Sequence, residues 1–294
     1  MKAPRSLPIA LIILSALLPT AAFAGHKPPP PPDLQSQINA LAARVSILEG
    51  QVSTLQTTTC PPDSVRAGAI CIDKYEASVW KVPPTQTTLI GKIQGGTVKL
   101  TDLTSAEGAA AGVIHLGLAS GDLVAAGCPD TGNGCVDFHA VSIAGVTPSA
   151  FVTWFQAAAT ARNSRKRLPT NQEWQVAALG TPDDTRCNVD EYSLKVTNTG
   201  SLLGCVSDVG AFDMVGNIYE WVADWVPRST ACVPSLFGTN DQNCLAGAST
   251  ASGPGALLRG GGIYDNGPLA GVFAIEGSVI PSYTDAQIGF RAVR

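Results

Sequence analysis

Eight cysteines fall into four close couples, and that spacing limits the architecture more than any other feature of the chain. Cys60 and Cys71 lie 11 residues apart, Cys128 and Cys135 7, Cys187 and Cys205 18, and Cys232 and Cys244 12. None of them has the Cys-x-x-Cys spacing of a zinc ligand pair or a redox dithiol. Eight cysteines permit many connectivities, and sequence alone does not choose among them. An even count arranged in near neighbours predicts four local staples, each pinning a loop in an oxidising compartment.

The start of the chain points to such a compartment. Lys2 and Arg5 precede an apolar run from Leu7 to Leu18, and Ala22-Phe23-Ala24 is a small-x-small cleavage sequence before Gly25. Residues 1–24 therefore read as a secretory signal. The run is short and interrupted by Pro8 and Pro19, which argues against a membrane anchor, and no cysteine follows the cleavage sequence to carry a lipid. The expected location is periplasmic or extracellular. With 14% charged residues and a net charge of −4, the chain offers no basic patch for nucleic acid.

Residues 25–33 form a proline-rich linker, stiff and extended. Behind it, Leu34, Ile38, Leu41, Val45, Leu48, Val52 and Leu55 alternate spacings of four and three. That is a heptad seam with β-branched residues at a and leucine at d, so residues 34–58 are expected to be a coiled-coil helix. Arg44 at g and Glu49 at the following e would pair between parallel chains. The a/d choice favours a dimer, whereas Arg44-Val-Ser-Ile-Leu-Glu49 resembles a motif of trimeric coiled coils. A homo-oligomer through residues 34–56 is the expectation.

From residue 59 to 294 the pattern is that of one globular domain. Ala69 to Trp80 reads as a strand, and residues 91–146 show no clear period. Thr153-x-x-Gln156 and Thr170-x-x-Glu173 are capping boxes that announce two helices. Gly210 to Trp225 begins as a turn at Gly216-Asn217 and continues as a strand rich in β-branched and aromatic residues. From Asn188 onward short strands and ordered loops are expected. Five segments in this order, Ile72-Asp-Lys-Tyr-Glu76, Arg167-Leu-Pro-Thr-Asn-Gln-Glu-Trp174, Gly210 to Trp225, Arg259-Gly-Gly-Gly262 and Gly289-Phe-Arg291, resemble the formylglycine-generating-enzyme (sulfatase-modifying factor) family over about residues 64–294. The resemblance implies an α+β domain, a formylglycine-generating-enzyme-like variant of the C-type lectin fold, here preceded by a short N-terminal coiled-coil helix.

It also implies which metals to expect. The family's oxidase holds copper on two cysteines just after the Arg-Gly-Gly segment, and the matching positions here are Asp265 and Ala270. A carboxylate and a methyl group cannot replace soft thiolates, so copper is not expected. A related branch holds iron on three histidines. This chain has His26 in the linker, then His115 and His139 without an His-x-x-x-His pair, so iron is not expected either. Structural calcium is expected, on the side chains of Asp213 and Glu220 and the carbonyls of Gly216 and Ile218. A second set would use Asn188 and the Val189 carbonyl. No nucleotide-binding glycine loop and no histidine-anchored triad is present.

The C-terminal stretch is also similar to the variable region of diversity-generating-retroelement target proteins, lectin-fold receptors in which a constant frame carries ligand-facing loops. On that resemblance, Arg259, Gly260, Gly261, Gly289, Phe290 and Arg291 form the frame. Ile263, Tyr264, Asp265, Asn266, Tyr283, Thr284 and Asp285 are the candidate ligand contacts. The expected function is an exported, non-catalytic binding protein for an extracellular protein or surface ligand. The alternative is a metal-dependent oxidase or oxygenase of the same family.

Overall fold

The computed structural model describes residues 33–57, 59–189, 195–234, 237, 239–265 and 269–294. The expected signal, most of the proline-rich stretch and Asn266 lie outside the described residues. Residues 1–56 and 57–294 form two units. In the first, helix α1 (Leu34–Thr57) starts where the Asp33 carboxylate accepts the Ser36 N–H at 2.8 Å, a side-chain cap on an otherwise unsatisfied donor. The seam residues Leu34, Ile38, Leu41, Val45 and Leu48 are exposed on the single chain. The side chains of Val52 and Leu55 lie outside the described residues.

The second unit opens with β1 (Ser64–Ala67) and β2 (Ile70–Asp73), an antiparallel hairpin. β3 (Ala77–Lys81) follows, so the single strand expected from Ala69 to Trp80 is two. The break has a cause in hydrogen bonding. Lys74 N–H goes to the Asp63 carbonyl, Tyr75 N–H to the Ser142 hydroxyl, and the Lys74 carbonyl accepts from Phe212 N–H. These bonds turn the chain out of one ladder and into another.

Residues 87–125 hold short elements: α2 (Thr87–Gln94), α3 (Leu100–Thr104), α4 (Ala106–Ala110), β4 (Ile114–Leu116) and α5 (Asp122–Ala125). Most are too brief to print a period. β5 (Phe138–Ser142) and β4 flank β3 in an antiparallel three-stranded sheet. Helices α6 (Trp154–Asn163) and α7 (Asn171–Ala178) begin at Thr153 and Thr170, and both capping boxes are formed.

The remaining strands are β6 (Tyr219–Pro227), β7 (Ala231–Pro234), β8 (Gln242–Ala246), β9 (Pro254–Gly260), β10 (Gly271–Glu276) and β11 (Ile288–Phe290). They make a six-stranded mixed sheet in the order β11-β6-β9-β10-β8-β7, with β11 parallel to β6 and β10 parallel to β8. Trp221, Leu258 and Phe290 pack from this sheet against Val79, Phe138 and Val152. Trp174 of α7 packs with Met214, Val222 and Ile72 in a second cluster. Each such side chain contributes roughly 1.5–3 kcal/mol on burial.

Past β11 the chain returns to β2, where Asp73 N–H donates to the Ala292 carbonyl at 2.8 Å and Cys71 N–H to the Arg294 carbonyl at 3.1 Å. The α+β class is as expected. The four disulfides join Cys60–Cys71, Cys128–Cys135, Cys187–Cys205 and Cys232–Cys244. Each closes a short loop, with separations of 11, 7, 18 and 12 residues.

Candidate functional site

The turn before β6 is shaped by left-handed backbone at Asp213, Gly216 and Asn217, with φ of 57°, 75° and 60°. At Gly216 a side chain is impossible for a second reason, since a Cβ there would lie 2.4 Å from the Asn188 carbonyl oxygen. Asn217 is the hub. Its amide nitrogen donates to Glu76 Oε2 at 2.7 Å, and its oxygen accepts from Asn188 Nδ2 at 2.9 Å and Thr197 N–H at 2.8 Å. Asn188 and Gly216 also form a parallel bridge, and Val189 is buried beside them. The two calcium sets inferred as separate sites therefore meet at one turn.

β6 carries Glu220 into the core. Both of its oxygens accept from Arg291 Nε, at 2.8 and 2.7 Å, and Oε2 also accepts from Trp174 Nε1 at 2.6 Å. Arg291 continues to the carbonyls of Asp73 and Phe212. Three buried carboxylates, Glu76, Asp213 and Glu220, thus share the surroundings of one guanidinium. Burial, then the charges of Asp213 and Glu220, holds Glu76 well above the usual carboxylate range, and its Oε1 has no partner. Burial likewise pushes Asp213 up to about 6, although its Oδ2 accepts the Gly200 N–H at 2.7 Å.

This excess of negative charge suits a hard divalent cation or protons. Glu76, Asp213 and Glu220 do not gather within 4.8 Å of one another, and Glu220 is already bonded to Arg291 and Trp174. Among the described residues, one group of three acidic or thiol donors gathers within 4.8 Å, Cys232, Cys244 and Glu276. Its two sulfurs are joined to each other, so it is not a metal set.

The loops beyond β9 form the other half of the site. Gly260 and Gly261 have φ of 89° and 84°, and a Cβ on Gly261 would meet Ala270 Cα at 2.5 Å. Ile263 is buried, so it supports the loop, whereas Tyr264 is 55% exposed. Asp265 folds back: its Oδ2 accepts the Gly262 N–H at 2.6 Å, and burial, with the nearby Asp265 charge, pushes the Tyr219 phenol up. Tyr264 N–H donates to Gln287 Oε1 at 3.3 Å, which ties this loop to the one bearing Tyr283.

Tyr283 is 45% exposed. Asp285 is held in place, accepting from Gln287 N–H at its carboxylate and from Phe151 N–H at its carbonyl. Thr284 lines a cavity of about 440 Å³ with Phe151, Asp130 and Ser120. The candidate contacts thus divide into exposed tyrosines and residues that fix the loops. Glu76, Asn217 and Tyr219 are not among the site residues inferred from sequence, whereas Gln287 ends the stretch inferred to face the ligand. Glu76 ends one of the quoted segments, but nothing in the sequence distinguishes it as a charge partner of the turn.

The positions of the family's copper cysteines offer no thiol. Ala270 is fully buried, and all eight cysteines are in disulfides. His115 and His139 lie on either side of Trp80 in the three-stranded sheet, in register with it. The His115 ring stacks on Trp80 at 4.6 Å. Burial lowers both histidines, His115 to about 4.

Comparison with known proteins agrees with the sequence segments. The family described as "Sulfatase-modifying factor enzyme 1-like domain" matches residues 32–294. Among curated proteins, the chain is 28% identical over 170 residues to a formylglycine-generating enzyme of Streptomyces coelicolor, covering 49% of this chain and 51% of that one. It is 29% identical over 143 residues to a hercynine oxygenase of Mycobacterium tuberculosis, covering 41% and 33%. It is 29% identical over 121 residues to the serine/threonine-protein kinase pkn1 of Chlamydia caviae, covering 39% and 19%. The matched stretches span between 14% and 51% of the length of these curated relatives. Among solved structures, the "Major Tropism Determinant U1 Variant" aligns with a TM-score of 0.44 and 19% identity, covering 81% of this chain and 53% of that one.

Proposed function

The chain belongs to the sulfatase-modifying factor family, and from that premise we propose that it is an exported binding protein without the family's oxidase chemistry, which recognises an extracellular protein or surface ligand through its C-terminal loops. One observation carries this reading. Tyr264 and Tyr283 project from two loops that the Tyr264–Gln287 hydrogen bond ties together, over a frame fixed by Glu220 and Arg291. Tyrosine gives a binding surface large amphipathic area at low entropic cost, and a stiff frame lets exposed side chains vary without unfolding the domain. The absence of an unpaired cysteine among the described residues argues in the same direction, because thiol-based copper chemistry needs free thiolates.

Two further parts belong to the proposal. Calcium, where bound, would be held by Asp213 and Glu220 with the carbonyls of Gly216 and Ile218, and would supply positive charge to the acidic cluster rather than chemistry. Helix α1 would join copies of the chain through its apolar seam, multiplying weak contacts by avidity.

The test uses the purified mature chain with copper or iron, a cysteine peptide and oxygen. Neither oxygen uptake nor aldehyde formation is expected. Metal-dependent oxygen uptake would overturn the binding reading in favour of an oxidase with an unfamiliar centre.

A further inference from the structure

A second cavity, of about 370 Å³, opens between α7, β8, β9 and β10, and none of the ligand-loop residues named above lines it. Its walls are apolar, from Val176, Phe237, Leu245, Phe273 and Ile275, with the Phe237 and Phe273 rings 5.7 Å apart. Its polar lining comes from Arg259, Gln175, Asn171 and Asn243.

Arg259 is only 2% exposed. Its Nη1 donates to the Ala274 carbonyl at 2.6 Å, its Nη2 to the Val272 carbonyl and to Gln175 Oε1, and the guanidinium lies over the Trp174 ring at 4.6 Å. All of these partners are neutral. Among the described residues no carboxylate forms an ion pair with it, and burial lowers its pKa to about 10 despite Asp241 nearby. A buried cation with no directly bonded carboxylate is costly, and an anion beside it would offset part of that cost.

The hydrogen-bond inventory sharpens this. Four buried polar atoms on the lining residues have no partner: the donors Arg259 Nε and Gln175 Nε2, and the acceptors Asn171 Oδ1 and Asn243 Oδ1. Buried polar atoms are rarely left unpaired, and four on the residues of one cavity call for a ligand. A guanidinium N–H and an amide N–H suit a carboxylate, two carbonyl oxygens suit an ammonium group, and aromatic and aliphatic walls suit a hydrocarbon side chain. We propose that this cavity binds a free α-amino acid with an apolar side chain, its carboxylate at Arg259 and Gln175 and its ammonium at Asn171 and Asn243.

Calorimetry and thermal melts of the full mature chain test this, with L-phenylalanine, L-leucine, 3-phenylpropionate and phenethylamine as probes. Saturable binding of an apolar amino acid, with a rise in melting temperature, is expected, and the analogues lacking either charged group should bind more weakly. Gln175→Leu should weaken binding by about tenfold or more, the effect of one lost hydrogen bond to a charged group. Leu245→Glu, at a partly exposed wall position, should weaken it without unfolding the free protein. Failure of both amino acids to bind at millimolar concentration would overturn the proposal, as would unchanged binding in both variants. Equal affinity for 3-phenylpropionate would overturn the amino-acid assignment.

Discussion

Glu220 and Arg291 form an ion pair at 2.6 Å with both side chains buried, joining the strand of the central turn to the strand it parallels. Replacing Arg291 by alanine strands the Glu220 charge in the core, and replacing Glu220 removes the one carboxylate bonded directly to Arg291 among the described residues. Glu220→Ala or Arg291→Ala is expected to cost roughly 3–5 kcal/mol, the usual penalty for breaking a buried pair. Chemical denaturation measures it. A loss under about 1 kcal/mol for either variant, the value of a surface pair, would remove this pair from the frame.

For the acidic cluster, calcium should raise the melting temperature of the unaltered chain and leave Asp213→Ala little changed. Binding to the folded state alone gives about 2.7 kcal/mol at ~100 times the dissociation constant. Identical melts in calcium and in chelator would mean that protons, not a metal, balance Glu76 and Asp213.

In the loops, Tyr264→Ser with Tyr283→Ser should abolish binding to whatever surface retains the unaltered protein, and should shift the melting temperature little. Asp265 behaves differently because its carboxylate holds the Gly262 N–H. Asp265→Ala should destabilise by roughly 1–3 kcal/mol, the cost of an unpaired buried partner. Phe290→Ala, at a fully buried position, should cost roughly 3–5 kcal/mol. In the gene, a diversified loop requires adenine-derived codons at Tyr264 and Tyr283 and a near-copy template. Their absence leaves a binder of fixed specificity.

Light scattering of the mature chain and of a fragment starting near Thr59 checks the helix. The whole chain is expected to be a dimer or trimer and the fragment a monomer. Equal particle masses per chain in both would show that the seam of α1 serves something else.

His115 supplies a pH dependence. Its ordinary pKa of 6.5 falls to about 4 in the folded chain through burial, so the unfolded chain binds more protons between those values. The stability that the neutral ring contributes is complete above about 6.5 and is lost as pH falls toward 4, amounting to at most about 3 kcal/mol. His115→Phe keeps a ring against Trp80 and cannot titrate. Its denaturation midpoint should fall less between pH 7 and pH 5 than that of the unaltered chain. Parallel falls would place the acid sensitivity elsewhere.

The parts of this architecture legible in the sequence are those with local causes. Thr153 with Gln156, and Thr170 with Glu173, cap their helices within one turn of chain, and the four disulfides close short loops. Gly216-Asn217 before β6 reads as a turn because few other residues accept its backbone. Non-local causes stayed hidden. The break at Lys74–Glu76 is made by Asp63, Ser142 and Phe212, and no pattern within residues 69–80 could announce it. The Arg259 cavity draws on α7, β8, β9 and β10, so its unpaired atoms meet only in the folded chain. Ile263 and Asp265 looked like surface residues because a loop's composition does not reveal which side chains turn inward.

The closing strand also sets an order of events. The Asp73 carbonyl waits for Arg291, 218 residues further along the chain, and Glu220 stays uncompensated until the same residue arrives. A nascent chain therefore cannot complete its core from the front as it is made, the habit of domains that fold in sequence during synthesis. Until residues 288–294 emerge, its acidic interior repels itself and its central sheet lacks β11.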